Sequence, residues 1–166
     1  MTNYPIEGPW SGQLVIVPRP RGGEWLDDEV RVWKALGFDV VVSLLTRSEL
    51  NELGLMAEAE ISRASGLQFC EFPIPDMGVP ESLSTGRGLV SQLLGALEAG
   101  QKIAVHCRQG IGRSGLIAAS VLVASGCDPE TAFSQVSAAR GLSVPETPKQ
   151  REWVIELARE PSLVKG

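Results

Sequence analysis

The stretch VHCRQGIGRSG, residues 105–115, sets a cysteine directly after the chain's only histidine and six residues before an arginine, with glycines at 110, 112 and 115. A thiolate is a strong nucleophile, but a free thiol titrates near pH 8.5, so an active cysteine needs surroundings that favour the anion. If Cys107 follows a strand and Ser114 opens a helix, the residues up to Arg113 form a cradle whose backbone N–H groups turn inward. Gly110 and Gly112 let that backbone take positive φ and approach a ligand closely. Amides of Arg108, Gln109, Gly110, Ile111, Gly112 and Arg113, gathered at a helix N-terminus, suit a tetrahedral oxyanion such as phosphate. Arg113 adds a planar fork able to grip two of its oxygens. The same donors favour a thiolate. A helix dipole contributes only about 0.3 to 2 kcal/mol, so the amides, the Ser114 hydroxyl and Arg113 must supply most of the preference. The plainer alternative is a glycine-rich turn around a buried, inert cysteine.

His106 is the obvious base by position, but neighbouring strand residues point to opposite faces, so its ring should turn away from the sulfur. It reads as a scaffold residue that hydrogen-bonds the loop's backbone, or simply as a buried histidine at a strand end. If the oxyanion in the cradle is a phosphate ester, the oxygen displaced from phosphorus needs a proton donor, and with the histidine turned away a carboxyl must supply it. Of five aspartates, Asp27 and Asp28 lie on an early helix, Asp39 opens a strand and Asp128 caps a helix. Asp76 has no such task. It sits in FPIPDMGVP, where prolines at 73, 75 and 80 hold a loop after a strand; an ordinary Pro-Asp turn is the alternative.

These residues need a frame, and the pattern supplies an alternating one. GQLVIVPRP begins as a strand, and GEWLDDEVRVWKALG has Leu26, Val30 and Trp33 at helical spacing before Gly37. FDVVVSLLT is a β-branched run fit for a strand covered on both faces. A helical patch around SELNELGLMAEAEISRAS, a strand LQFCEF, the Asp76 loop and a helix within SLSTGRGLVSQLLGALEAG follow. KIAVH is a strand running into the cysteine loop, and SGLIAASVLVASG, apolar nearly all round, is a helix buried at the centre. DPETAFSQVSAARG and TPKQREWVIELARE complete the helices, the first with an Asp cap and Pro at its first position. The order predicts an α/β domain with a central, mostly parallel sheet flanked by helices, and ligands at the strands' carboxyl ends.

At 166 residues and 43% hydrophobic content, the chain, residues 1–166, should form a single domain with one core. A net charge of −5 argues against nucleic acid and anionic membrane as partners. The longest apolar run, LIAASVLVA, is shorter than the roughly 20 residues of a membrane span, and no secretory signal is legible. Three cysteines without Cys-x-x-Cys spacing argue against a disulfide framework, and a soluble, cytoplasmic protein, a monomer, is expected. A single histidine removes histidine-based zinc sites, and no metal or cofactor is expected.

HCRQGIGRSG resembles the signature loop of the cysteine-dependent protein tyrosine phosphatase superfamily, His-Cys-x5-Arg-Ser/Thr. The resemblance implies a phosphocysteine intermediate on Cys107, phosphate binding by Arg113 and the 108–113 amides, and leaving-group assistance from Ser114. The superfamily's general acid lies on a loop after a strand and upstream of the cysteine, as does Asp76, 31 residues before Cys107. PIPDMGVP and VPETPKQ resemble the compact dual-specificity branch, including the cyclin-dependent-kinase-associated kind, over roughly residues 40 to 155. By that resemblance Gln150 could position the hydrolytic water; Thr147-x-x-Gln150 also reads as a capping box. Gln109 and Ile111 stand where phosphoinositide-directed relatives often carry lysine, which favours a phosphorylated protein or peptide over a small phosphate as substrate. With one tyrosine, Tyr4, and no tyrosine-bearing recognition loop, a shallow site is implied, taking phosphotyrosine and also phosphoserine or phosphothreonine. A phosphate-binding module without turnover and, more distantly, a sulfurtransferase are the alternatives. Arg19 and Arg21 belong to a substrate-facing loop or to a solvated one. Cys70 is a partner for an oxidised Cys107 or a buried strand cysteine.

Overall fold

A computed structural model describes residues 2–159. Five strands, β1 (Tyr4–Ile6), β2 (Gln13–Ile16), β3 (Val40–Ser43), β4 (Gln68–Glu71) and β5 (Lys102–His106), form one sheet in the order β1-β2-β5-β3-β4. All neighbours pair in parallel except the edge strand β1, which runs antiparallel to β2. Seven helices follow the strands: α1 (Leu26–Ala35), α2 (Arg47–Glu52), α3 (Glu58–Ala64), α4 (Leu83–Glu98), α5 (Gly112–Ala124), α6 (Pro129–Arg140) and α7 (Pro148–Ala158). The architecture is the expected α/β sheet with helices on both faces.

The alternation of β-strand side chains explains why residues 40–42 of β3 and 103–105 of β5 are apolar without a break. Val40 and Val42 of β3 with Ile103 and Val105 of β5 face one hydrophobic cluster, which includes residues of α4, α5, α6 and α7. Val41 and Ala104, paired in register, face a second cluster that holds Leu26, Val30 and Trp33 of α1. All thirteen residues of α5 are buried, as its all-round apolarity predicts.

One strand lies outside what the sequence showed, and two expectations need correction. β1 was not foreseen; its three residues are too few for an alternation signal, and its pairing with β2 makes the sheet mixed. The single patch around residues 48–65 divides into α2 and α3, because Gly54 takes φ +71° between them, a left-handed turn that ends the first helix. The buried helix begins at Gly112, two residues before Ser114, which places Arg113 inside its first turn.

Because β2, β3, β4 and β5 run in parallel, their carboxyl ends share one edge of the sheet. The Arg19–Arg21 loop, α2, the Asp76 loop and the Cys107 loop therefore all emerge there.

Candidate active site

A cavity of about 190 Å³ opens at this edge, lined by Cys107, Gln109, Gly112 and Arg113 of the β5–α5 loop and by Asp76, Met77 and Glu146. Cys107 is 2% exposed, and the Gly110 N–H donates to its Sγ at 3.2 Å. Gly110 reaches that position with φ +70°, a left-handed conformation that a side chain would strain. A Cβ at Gly112 would meet the movable end of exposed Glu146 at 2.5 Å from Oε1 and press on buried Gln150 at 3.1 Å from Nε2. Ser114 is buried beneath the loop and its Oγ meets no protein partner. Ile111 packs on the first hydrophobic cluster and precedes α5 as its cap residue.

Arg113 is 2% exposed, and its guanidinium is held on three sides. Nη1 donates to Glu49 Oε1 at 2.7 Å and to the Ile74 carbonyl at 2.9 Å. Nη2 donates to Glu49 Oε2 at 3.0 Å and to Asp76 Oδ1 at 3.2 Å. The bidentate grip fixes the plane of the fork. Burial works against the arginine's charge, but the Glu49 bond and the negative charge of Cys107, Glu49 and Asp76 outweigh it, so its pKa is raised. Burial likewise opposes the Glu49 carboxylate, yet the bonds from Arg113 and from the Thr46 amide, with the arginine's charge, bring its pKa down to about 2.

Glu49 was missed in the sequence reading. Its signal was Thr46-x-x-Glu49, a capping box that the structure forms at the start of α2. That pattern marks a helix start, whereas the pairing with Arg113 joins residues 64 positions apart.

Asp76 sits at the turn Pro75–Gly78, closed by Gly78 N–H to the Pro75 carbonyl at 2.8 Å, and its side chain is 62% exposed. Met77 beside it takes φ +63°, the position of a type II turn that glycine or asparagine usually fills. Arg108 contributes no side chain to the cavity. It turns to Glu52, 3.0 Å away, and lies 3.8 Å from Glu49.

His106 requires a correction. Its Nε2 lies 2.6 Å from Glu58 Oε2 on α3, not against the loop's backbone, and its ring stacks on Trp33 at 6.0 Å. It thus joins the second cluster's side of the sheet while Cys107 belongs to the first. Loop support comes instead from a residue not foreseen: Arg140, at the end of α6, donates Nε–H to the Gly110 carbonyl at 2.6 Å and stacks on Tyr4 at 4.0 Å.

Gln150 caps α7 reciprocally with Thr147, accepts from the Glu146 and Thr147 amides, and donates Nε2–H to the Gly78 carbonyl at 3.1 Å. It ties the α7 cap to the Asp76 loop. Arg21 is paired with Glu29 and stacked on Trp25, Arg19 bonds the Pro20 carbonyl, and neither lines the cavity. Cys70 is a free thiol accepting from Gln92 Nε2 at 3.2 Å. No cluster of His, Cys, Asp and Glu suited to a metal occurs among the described residues, and no described helix is long and apolar enough to cross a membrane.

With this geometry in view, the family model for the "Polymorphic toxin system, DSP-PTPase phosphatase" matches residues 17–127. The chain belongs to the dual-specificity protein tyrosine phosphatase family. The matched segment starts just after β2 and runs through α5, and so includes both the Cys107 loop and Asp76. Among curated members, cyclin-dependent kinase inhibitor 3 of Rattus norvegicus is 29% identical over 125 residues, covering 74% of this chain and 58% of that protein. The same protein of Homo sapiens is 28% identical with the same coverage. The aligned part therefore spans less than two thirds of those relatives' length. Among solved structures, kinase associated phosphatase shares the fold at a TM-score of 0.82 and 22% identity, covering 94% of this chain and 98% of that one. Tk-PTP in its active form gives a TM-score of 0.74 at 27% identity over 90% of this chain and 93% of that one.

Proposed function

We propose that this family member is a phosphomonoesterase that acts on phosphotyrosine, and also on phosphoserine and phosphothreonine, in proteins through a phosphocysteine intermediate. The observation that carries the reading is the placement of Cys107 Sγ, the inward Gly110 amide and the Arg113 fork around one cavity that also receives Asp76. In the first step Cys107 attacks phosphorus, the bond from phosphorus to the leaving oxygen breaks, and Asp76 donates its proton to that oxygen. In the second step water attacks the phosphocysteine, Asp76 takes its proton, and Cys107 leaves as a thiolate with inorganic phosphate. Loop amides and Arg113 meet the charge on the equatorial oxygens throughout, the largest contribution such a site makes.

Arg113 has five N–H groups, and the bonds to Glu49, Ile74 and Asp76 occupy the four on Nη1 and Nη2. Nε–H is the donor these bonds leave for a phosphate, and the Nη2 bond to Asp76 becomes available once that carboxyl turns to the leaving oxygen. Ser114 assists departure of the thiolate in the second step, and Gln150, engaged in the α7 cap and at the Gly78 carbonyl, steadies the loop that carries Asp76. The enzyme works without metal or cofactor, as a monomer in the cytoplasm.

The test is hydrolysis of an aryl phosphate by the whole chain. Cys107→Ser should abolish turnover while inorganic phosphate still binds, and Asp76→Asn should slow it by about 10² to 10⁴-fold with the loop intact. Turnover by Cys107→Ser would sink the mechanism, and an unchanged rate in Asp76→Asn across pH would remove Asp76 from its role.

A further inference from the structure

The mouth of the cavity has carboxylates where a site for several phosphates would have cations. Glu146 is exposed and lines the cavity against Gly112, and Asp76 stands at the rim with it. Both arginines of the loop are already matched, Arg113 by Glu49 and Asp76, Arg108 by Glu52 and Glu49. Loop amides and Arg113 suffice for one phosphate, and nothing cationic in the lining remains for a second.

A groove of about 380 Å³ continues the site on the far side of the Gly78–Gln150 bridge. Val79 and Pro80 extend the Asp76 loop into it, and Lys149 and Trp153 extend the Glu146 segment. Its apolar surface comes from Pro80, Leu83 and Trp153, and Glu81, Glu152 and Glu156 outnumber the ammonium of Lys149. Glu156 is further matched by Arg159 at 3.3 Å, and Glu81 and Glu152 are in no ion pair among the described residues. A lysine or arginine fits this combination, with its methylene stem along the apolar surface and its charge at the carboxylates. An acidic side chain or a second phosphate would meet like charge at Glu146 and again at the groove.

We propose that Glu146 and this groove select phosphoprotein segments that carry a lysine or arginine near the phosphorylated residue, and turn away multiply phosphorylated small molecules. The inference rests on the phosphatase reading and adds the class of its substrate.

Matched phosphotyrosine peptides, with arginine or glutamate at each of the three positions on either side, test it beside an aryl phosphate and an inositol trisphosphate. At low ionic strength arginine on one side should raise kcat/KM over glutamate by about fivefold or more, with the preference fading as salt screens it. The inositol trisphosphate should be the poorest substrate. In Glu146→Gln, and more fully with Glu152→Lys added, the ratio should fall below about twofold. Aryl phosphate hydrolysis with an arginine-to-glutamate ratio near one at every position overturns the inference and leaves the phosphatase reading intact. A ratio that survives both substitutions in folded protein also overturns it. Absence of aryl phosphate hydrolysis removes the phosphatase reading and this inference together.

Discussion

At the scale of single residues, the arginine that would bind phosphate is positioned by a carboxylate that never touches the substrate. Glu49 spends one oxygen on both the Thr46 amide and Arg113 and the other on Arg113, so one side chain starts a helix and aims a guanidinium. Glu49→Gln keeps the size but removes the charge from a buried pair; it should lower stability by about 3 kcal/mol in urea unfolding. It should also reduce kcat/KM by about tenfold or more through a misplaced fork, with the larger part in kcat. The pH dependence follows from the depressed pKa, about 2 against an ordinary 4.5. The folded state binds this proton more weakly than the unfolded one. The stabilisation is therefore complete above about pH 4.5 and is lost as pH falls toward 2, on the order of 3 kcal/mol in total. Unfolding measured from pH 7 to 2 should show this slope in the parent and a flatter one in Glu49→Gln. Cys107, Arg113 and their amides were legible because they sit in one contiguous loop. Glu49 and Glu58 were not, since their partners Arg113 and His106 lie 64 and 48 positions away and only the parallel sheet brings them together.

At the scale of elements, strand-to-helix junctions and turns hold the site, and their strain and bracing can be tested. The turn at Pro75–Gly78 places a methionine at φ +63°, where asparagine or glycine would be comfortable. Met77→Gly should relieve about 1 kcal/mol of backbone strain but free the Asp76 loop. The expected sign is a small change in stability with a clear fall in kcat for aryl phosphate. On the other side of the cavity, the end of α6 braces the Cys107 loop through Arg140 and the Gly110 carbonyl. Arg140→Leu should raise KM, and the inhibition constant of inorganic phosphate, by about tenfold, the worth of one charge-assisted bond. Tyr4→Leu removes only the ring beneath that arginine and should do less. Apart from the three-residue β1, the elements were readable from periodicity, down to the Asp128 and Thr147 caps, which accept from Thr131 and Gln150 as their spacing implies. The split of α2 from α3 escaped because a glycine at φ +71° and one tolerated inside a helix look alike in sequence.

At the scale of the molecule, two hydrophobic clusters share one sheet, and β3 and β5 supply alternate residues to both. A residue pair such as Val41 and Val42 cannot keep one cluster while releasing the other, because both lie on the same four-residue strand. The two clusters should therefore unfold together as one domain, although α1, α2 and α3 touch little of what α5, α6 and α7 cover. Tryptophan places a reporter in each: Trp33 in the cluster with α1, Trp153 in the cluster with α7. Variants retaining only one of these, with the other tryptophans changed to phenylalanine, should give coincident urea midpoints by fluorescence and by circular dichroism. Leu97→Ala, in the Trp153 cluster and fully buried, should cost about 2 to 5 kcal/mol. It should lower the Trp33 midpoint as much as the Trp153 midpoint. A Trp33 transition that stays in place while the Trp153 transition moves would mean that the sheet does not couple its two faces, and that the helices on the α1 side form a separate folding unit.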